Sequence, residues 1–186
     1  MKIDKFKHLP LMITGIRIIG TPIFITLILT GQYRLTILVF IIICLSDLFD
    51  GIVARALELC TSFGACMDVT ADAIYIFSAI AFFYHLGITP MWFLMYAGLK
   101  LLEFVITSSI LKSQSSKREP LIFDILGKAF AILLFIYPGF VIVSVYLLRL
   151  GSGLNDYYLG MTLVLGLVSS VFRLLKCKRL IILNKA

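Results

Sequence analysis

Four aspartates in a strongly apolar part of the chain have the residue type and spacing to bind a cation. Asp47 and Asp50 are at positions i and i+3, and Asp68 and Asp72 are at i and i+4, so each pair occupies one helix face. A charged side chain at the centre of a bilayer costs on the order of 2.5–3.5 kcal/mol. Four neighbouring carboxylates also repel one another. The group therefore requires a compensating cation, and a divalent metal ion is the natural candidate.

The two pairs lie on either side of a predicted turn near residues 58–62. Asp50 precedes this turn by about two helical turns, and Asp68 follows it by about the same distance. At about 1.5 Å of rise per residue, both pairs are expected at a similar depth in the membrane. Four hard oxygen ligands at one level favour Mg²⁺ or Mn²⁺.

Small residues and one arginine accompany the aspartates. Gly51, Ala54 and Gly64 leave room for a neighbouring helix or a flat ligand. Arg55 is a fork-shaped donor suited to phosphate. A cation, an arginine and an apolar cleft together favour a diphosphate site that faces both lipid and cytosol.

The elements that position these residues are predicted to be membrane-spanning helices. The chain has 186 residues, of which 61% are hydrophobic and 15% charged, and soluble domains carry only about 45–50% apolar residues. We expect a single domain, residues 1–186, with an all-α integral membrane fold of six transmembrane helices and a cytoplasm-facing polar cavity. Residues 1–9 form either a short interfacial helix or a frayed basic terminus. The six predicted spans are 10–31, 35–57, 62–86, 90–112, 121–148 and 155–175, and the fifth is expected to kink at Pro138 and Gly139.

The charge distribution predicts how the chain is oriented. The net charge is +7, from 17 Lys and Arg against 10 Asp and Glu. Most basic residues fall between apolar stretches and on one side of the predicted spans, which favours anionic headgroups over nucleic acid as the partner. The expectation is a multi-pass protein of the cell membrane, with both termini and the active site on the cytoplasmic side.

The aspartates belong to a longer pattern with fixed spacing. The segment from Asp47 reads D-L-F-D-G-I-V-A-R, and after eight further residues comes G-A-C-M-D-V-T-A-D, ending at Asp72. The pattern resembles the signature of the CDP-alcohol phosphotransferase family, which is D, two residues, DG, two, AR, eight, G, three, D, three, D. All eight signature positions match, across two predicted spans.

The resemblance implies roles for individual residues. Asp47, Asp50 and Asp68 would bind two divalent ions, Mg²⁺ or Mn²⁺, and Asp72 would be a ligand or neighbour that acts as general base. The residues implied to contact the CDP-linked lipid are Gly51, Ala54, Arg55, Gly64 and, from a short TxxR element in the first span, Thr14 and Arg17. The family also implies a homodimer.

The implied reaction transfers a phosphatidyl group from a CDP-diacylglycerol-type lipid to an acceptor alcohol and releases CMP. Gly127-Lys128, after a basic loop, looks like the glycerol-phosphate-accepting branch, and Arg118 and Lys128 are candidates for an acceptor phosphate. The residues after Asp68 and Asp72, Val69 and Ala73, depart from that branch, which has Pro and Lys there. Glycerol 3-phosphate is therefore the first expectation, with inositol phosphate, inositol or serine as alternatives.

Two other classes of function are compatible with intramembrane aspartates. A divalent-cation transporter would use them as a transit site, but such proteins often have paired halves with broken helices, and the sequence shows neither. A structural membrane subunit would tolerate Asp72→Asn. Within the fourth span, Lys100 and Glu103 are at i and i+3 and either form a structural ion pair or reach an acceptor pocket.

Overall fold

The computed structural model describes residues 9–56, 62–114, 125–150 and 152–183, and it describes side chains over 15–49, 67–109, 125–150 and 153–178. These residues are almost entirely helical, with short turns between the helices. In chain order the elements are α1 (Leu9–Leu29), α2 (Tyr33–Ala56), α3 (Ser62–His85), α4 (Met91–Gln114), α5 (Ile125–Val141), a π-helix (Ile142–Leu147) and α6 (Ser152–Leu183).

Several helices have the length and apolar composition needed to cross a membrane. Within the described residues the qualifying segments are Met67–His85, Met91–Ser109, Ile125–Leu147 and Gly153–Lys178, and Gly15–Leu29 is a shorter apolar segment. Helices suit this setting because every backbone hydrogen bond is made within the segment. The predicted all-α membrane fold is confirmed.

The last helix is longer than its predicted span, because α6 continues to Leu183 where the apolar segment was expected to end at 175. Lys and Arg follow the apolar residues there, and both are good helix formers. Hydropathy marks where the apolar segment ends, whereas helix propensity allows the helix to continue into the polar region.

Two glycines end helices in a left-handed conformation. Gly31 follows α1 with φ +71° and Gly87 follows α3 with φ +71°. In each case the next residue donates from its backbone N–H to a carbonyl five positions earlier, Gln32 to Leu27 at 2.9 Å and Ile88 to Phe83 at 2.9 Å. This bond caps the helix with a residue type that adopts positive φ without strain, so α1 and α3 end abruptly.

One compact unit comprises residues 1–82 and 138–149. Within it α1 packs against α2, and α2 contacts the π-helix. Phe24 and Tyr75 are fully buried, with ring centroids 6.0 Å apart in an edge-to-face arrangement. The ring of Phe40 lies where a side chain at Gly139 would project, so this glycine permits close packing beside the π-helix.

The fifth helix changes its hydrogen-bonding pattern just beyond the predicted kink. Pro138 and Gly139 lie inside α5, and the π-helix starts at Ile142. Its wider turn is seen in the bond from the Leu148 N–H to the Val143 carbonyl, five positions earlier, at 2.9 Å. Proline removes a backbone donor, and π-helical turns are a known form of helix irregularity. The irregularity therefore lies next to Pro138.

The second compact unit comprises residues 83–137 and 150–186. Within it α4 packs against α6. An aromatic core forms around the fully buried Tyr137, whose ring centroid lies 6.3 Å from Phe83, 5.3 Å from Phe93 and 5.7 Å from Tyr158. Aromatic pairs of this kind stabilise the folded state by more than the burial of their apolar surface alone would.

Candidate metal and phosphate site

Helices α1, α2 and α3 bring four charged side chains together in the first unit. Arg17 Nη1 lies 3.3 Å from Asp47 Oδ1 and also donates to Asp72 Oδ1, while Nη2 donates to Asp68 Oδ1. Among the side chains that the structure describes, three carboxylates share this guanidinium. We call Arg17, Asp47, Asp68 and Asp72 the aspartate cluster.

Local helix geometry explains why these side chains meet. Asp68 and Asp72 are one turn apart on α3, so they share a face. Gly20 of α1 faces Ile43 of α2 so closely that a Cβ at position 20 would lie 3.1 Å from the Ile43 side chain. The small residue lets α1 approach α2 near Asp47. Thr21 donates to the Arg17 carbonyl at 2.7 Å, which satisfies its buried hydroxyl within the helix.

The members of the cluster differ in exposure. The Arg17 side chain is 0% exposed, whereas those of Asp47, Asp68 and Asp72 are 37%, 39% and 29% exposed. Within the described side chains, acidic groups outnumber the single basic group. The open side of the cluster is thus acidic, and its buried side is basic.

The donor set fits a divalent cation. One carboxylate oxygen from each of Asp47, Asp68 and Asp72 lies within 4.8 Å of the others. Hard carboxylate oxygens are the ligands that Mg²⁺, Mn²⁺ and Ca²⁺ prefer. Asp50, the remaining predicted ligand, is in α2, but its side chain lies outside the described residues.

The other predicted site residues are placed less completely. For five of them the structure gives the helix but does not describe the side chain. They are Gly51, Ala54 and Arg55 in α2, Gly64 in α3 and Thr14 in α1. Arg118 falls outside the described part of the chain. Lys128 lies in the first turn of α5 and is exposed. Their roles stay predictions.

The sequence did not predict which residues Arg17 contacts. The TxxR element suggested only that Arg17 contacts the lipid substrate, and in the structure it binds the three aspartates. An arginine within an apolar segment is itself a signal, because such residues are usually paired with an anion. The sequence gives no means of choosing which anion.

A second group of polar side chains joins α4 and α6. Lys100 Nζ lies 3.1 Å from Glu103 Oε2 and 2.9 Å from Ser170 Oγ, and Ser170 donates to the same carboxylate oxygen at 2.6 Å. The structural ion pair is therefore formed. One turn along α6, Arg173 donates to Ser108 at 2.6 Å and also to Thr107. We call these six residues the α4–α6 network; Ser170 and Arg173 were not predicted.

The fold and the site together describe an integral membrane protein with a candidate cation site on its first three helices. Comparison with known families agrees, because the model of the CDP-alcohol phosphatidyltransferase family matches residues 7–172. The chain belongs to this family, and the predicted family is confirmed.

Individual relatives match a smaller part of the chain. It is 37% identical over 79 residues to the CDP-diacylglycerol–glycerol-3-phosphate 3-phosphatidyltransferase of Rickettsia prowazekii, across 41% of this chain and 42% of that protein. It is 30% identical over 94 residues to a probable phosphatidylglycerophosphate synthase of Mycobacterium tuberculosis, across 47% and 45%. It is 30% identical over 95 residues to a cardiolipin synthase (CMP-forming) of Streptomyces coelicolor, across 48% and 44%. Each alignment spans less than half of the relative's length.

Proposed function

We propose that this protein transfers a phosphatidyl group from a CDP-diacylglycerol-type lipid to glycerol 3-phosphate and releases CMP. The observation that carries the proposal is the convergence of Asp47, Asp68 and Asp72 in an apolar helical protein. Family membership supports the reaction class. The names of the Rickettsia and Mycobacterium relatives support glycerol 3-phosphate as the acceptor.

The proposed cofactor is a pair of divalent ions, Mg²⁺ or Mn²⁺. Asp47, Asp68 and Asp72, with Asp50 added by the family resemblance, would hold them. When bound, such ions supply electrostatic stabilisation of the diphosphate as its bridge breaks.

The proposed roles of the chain's own residues follow from proton and phosphate chemistry. The acceptor hydroxyl oxygen attacks the lipid-side phosphorus, the bond from that phosphorus to the CMP oxygen breaks, and Asp72 accepts the hydroxyl proton. Arg17 and Arg55 would bind the phosphates. Gly51, Ala54 and Gly64 would border the cytidine, Thr14 would lie near the lipid substrate, and Arg118 and Lys128 would bind the acceptor phosphate.

Orientation and assembly are further parts of the proposal. The excess of Lys and Arg on one side of the spans supports a cytoplasmic location for both termini and for the site. Reporter fusions at each terminus test this, since a reporter that folds only in the cytoplasm should be active at both. The family resemblance supports a homodimer, and light scattering of the detergent-solubilised protein measures its mass.

CMP release from radiolabelled CDP-diacylglycerol by the purified protein with Mg²⁺ or Mn²⁺ tests the reaction. Release with glycerol 3-phosphate that disappears in Asp72→Asn is the expected result. The acceptor panel includes inositol phosphate, inositol, serine and phosphatidylglycerol, the alcohol that a cardiolipin-forming reaction requires. Release with another member reassigns the acceptor. No release with any acceptor, together with cation uptake into vesicles, would favour transport instead.

A further inference from the structure

We infer that Arg17 is the internal counter-cation of the aspartate cluster, and that a divalent cation binds the aspartates by displacing its guanidinium. The inference rests on the proposed function, because it concerns the same cation site. It goes further by assigning Arg17 a role in setting metal affinity and in linking metal binding to diphosphate binding.

The first step is that Arg17 and a metal ion require the same three carboxylates. The guanidinium bonds Oδ1 of Asp68 and of Asp72 and pairs with Oδ1 of Asp47. These three residues also form the candidate metal-binding group. A carboxylate that accepts a charge-assisted hydrogen bond from arginine has less electron density to offer a metal ion. A metal ion and a guanidinium that contact the same carboxylates also repel each other. The two occupants therefore compete.

The second step is that Arg17 cannot leave without a new anion. Its side chain is 0% exposed, and a buried charge that loses its partner is strongly destabilising. Displacement is therefore favourable only when another anion is close to the guanidinium. The diphosphate of a CDP-linked lipid is such an anion, and its paired oxygens match the planar fork of arginine.

The consequence is a coupled exchange. A divalent cation takes over the carboxylates, and the guanidinium passes to the diphosphate, so each binding event lowers the cost of the other. By linkage the coupling is reciprocal. Without Arg17 the carboxylates would bind metal more tightly and the diphosphate would bind more weakly. The distinctive prediction is that loss of Arg17 shifts the metal affinity and the diphosphate affinity in opposite directions.

The test measures binding rather than turnover. Purified protein in detergent, stripped of metal with a chelator, is titrated with Mn²⁺ while electron paramagnetic resonance reports free Mn²⁺. CDP affinity is then measured by calorimetry at saturating Mn²⁺. The variants are Arg17→Gln, which removes the charge, and Arg17→Lys, which keeps the charge but not the fork. Arg173→Gln is the matched control, because it removes a buried cation that donates to the hydroxyls of Ser108 and Thr107.

Arg17→Gln should bind Mn²⁺ about tenfold or more tightly, since one adjacent unit charge changes the proton affinity of a carboxylate by at least that factor. Its CDP affinity should fall. Arg17→Lys should bind Mn²⁺ nearly as the original protein does. Arg173→Gln should leave both affinities unchanged within about twofold. Unchanged or weaker Mn²⁺ binding in Arg17→Gln overturns the inference, as does equal tightening in the Arg173→Gln control.

Folding failures are also informative. Arg17→Gln protein that is folded with Mn²⁺ and unfolds when the metal is removed supports the inference, because the metal then replaces the missing counter-cation. Protein that cannot be isolated even with Mn²⁺ overturns it, since Arg17 would then be needed whether or not metal is bound. If the affinities shift as expected but no acceptor yields CMP, the exchange stands and the proposed function fails.

Discussion

The aspartate cluster and the α4–α6 network both place ionised side chains within apolar helices, but their charge balance is opposite. In the aspartate cluster three carboxylates share one guanidinium, among the side chains that the structure describes. In the α4–α6 network two cations, Lys100 and Arg173, accompany the single carboxylate of Glu103 and a set of hydroxyls. Among the described side chains, the first group has more carboxylates than cations, whereas in the second the cations outnumber the carboxylate and also donate to neutral hydroxyls.

Exposure separates the two groups in the same way. The Asp47, Asp68 and Asp72 side chains are open to the surroundings by about a third, whereas the Arg17 side chain is fully buried. In the network both cations are buried, with Lys100 at 9% and Arg173 at 4%, and so are the hydroxyl partners of Arg173, whereas Ser170 is half-buried. Buried hydrogen bonds of this kind hold together the helices that they join. We therefore expect a ligand to bind where an excess of one charge is accessible, as in the aspartate cluster.

The largest difference between the two regions is expected from removing one carboxylate charge. Asp72→Asn should lower CMP release by about 10²–10⁴-fold, because the proposed general base can no longer accept the acceptor proton. Asp156→Asn makes the same chemical change at an exposed position in the second unit and should retain activity. Radiolabelled CMP release per folded molecule measures both variants. Equal losses in the two would remove the functional distinction between the regions.

Substitutions in the α4–α6 network should lower the stability of the protein. Lys100→Met leaves the Glu103 carboxylate without its 3.1 Å cation partner, which should cost about 3 kcal/mol and lower the Tm by roughly 6–12 °C. The double variant Lys100→Met, Glu103→Leu should recover most of this loss, because apolar residues suit the apolar helices. Thermal unfolding in detergent measures the series. If the double variant is as unstable as the single one, Lys100 and Glu103 do more than neutralise each other's charge.

These two regions also differ in what the sequence could predict. The aspartates share a signature whose spacing is local, so helix periodicity and family resemblance together suffice to predict that they form one site. The six helices follow from apolar runs of spanning length. The ion pair of Lys100 with Glu103 was one of two alternatives because their i, i+3 spacing is also local.

Contacts between remote segments were beyond prediction. Arg17 is 55 residues from Asp72 in the chain, and Lys100 is 70 from Ser170. Such pairings depend on which helix faces meet, and hydrophobic periodicity is weak in a helix that is apolar on all sides. The π-helix was missed for a related reason, since Pro138 predicts an irregularity without specifying its form.

Metal binding should stabilise the folded protein, and the effect should depend on the aspartate cluster and not on the α4–α6 network. At a Mn²⁺ concentration 100 times its Kd, the gain in unfolding free energy should be about 2.7 kcal/mol. Asp47→Asn should reduce this gain, because it removes one of three convergent carboxylates. Glu103→Gln should keep it, because Glu103 already binds Lys100 and Ser170. Differential scanning fluorimetry with and without Mn²⁺ measures each gain, and an equal gain in both variants would show that Mn²⁺ binds elsewhere.

The smallest effect is expected from helix packing in the second unit. A Cβ at Gly166 would collide with the Tyr96 hydroxyl and the Phe130 ring, so Gly166→Ala should force α6 away from α4 and cost about 1–3 kcal/mol. Gly160→Ala on the same helix meets open space and should be neutral or slightly stabilising, because alanine favours helix. Thermal unfolding measures stability, and Mn²⁺ titration should show no change in affinity for either variant. A loss of Mn²⁺ affinity in Gly166→Ala would mean that the packing of α4 on α6 supports the cation site, and the two regions could no longer be treated as independent.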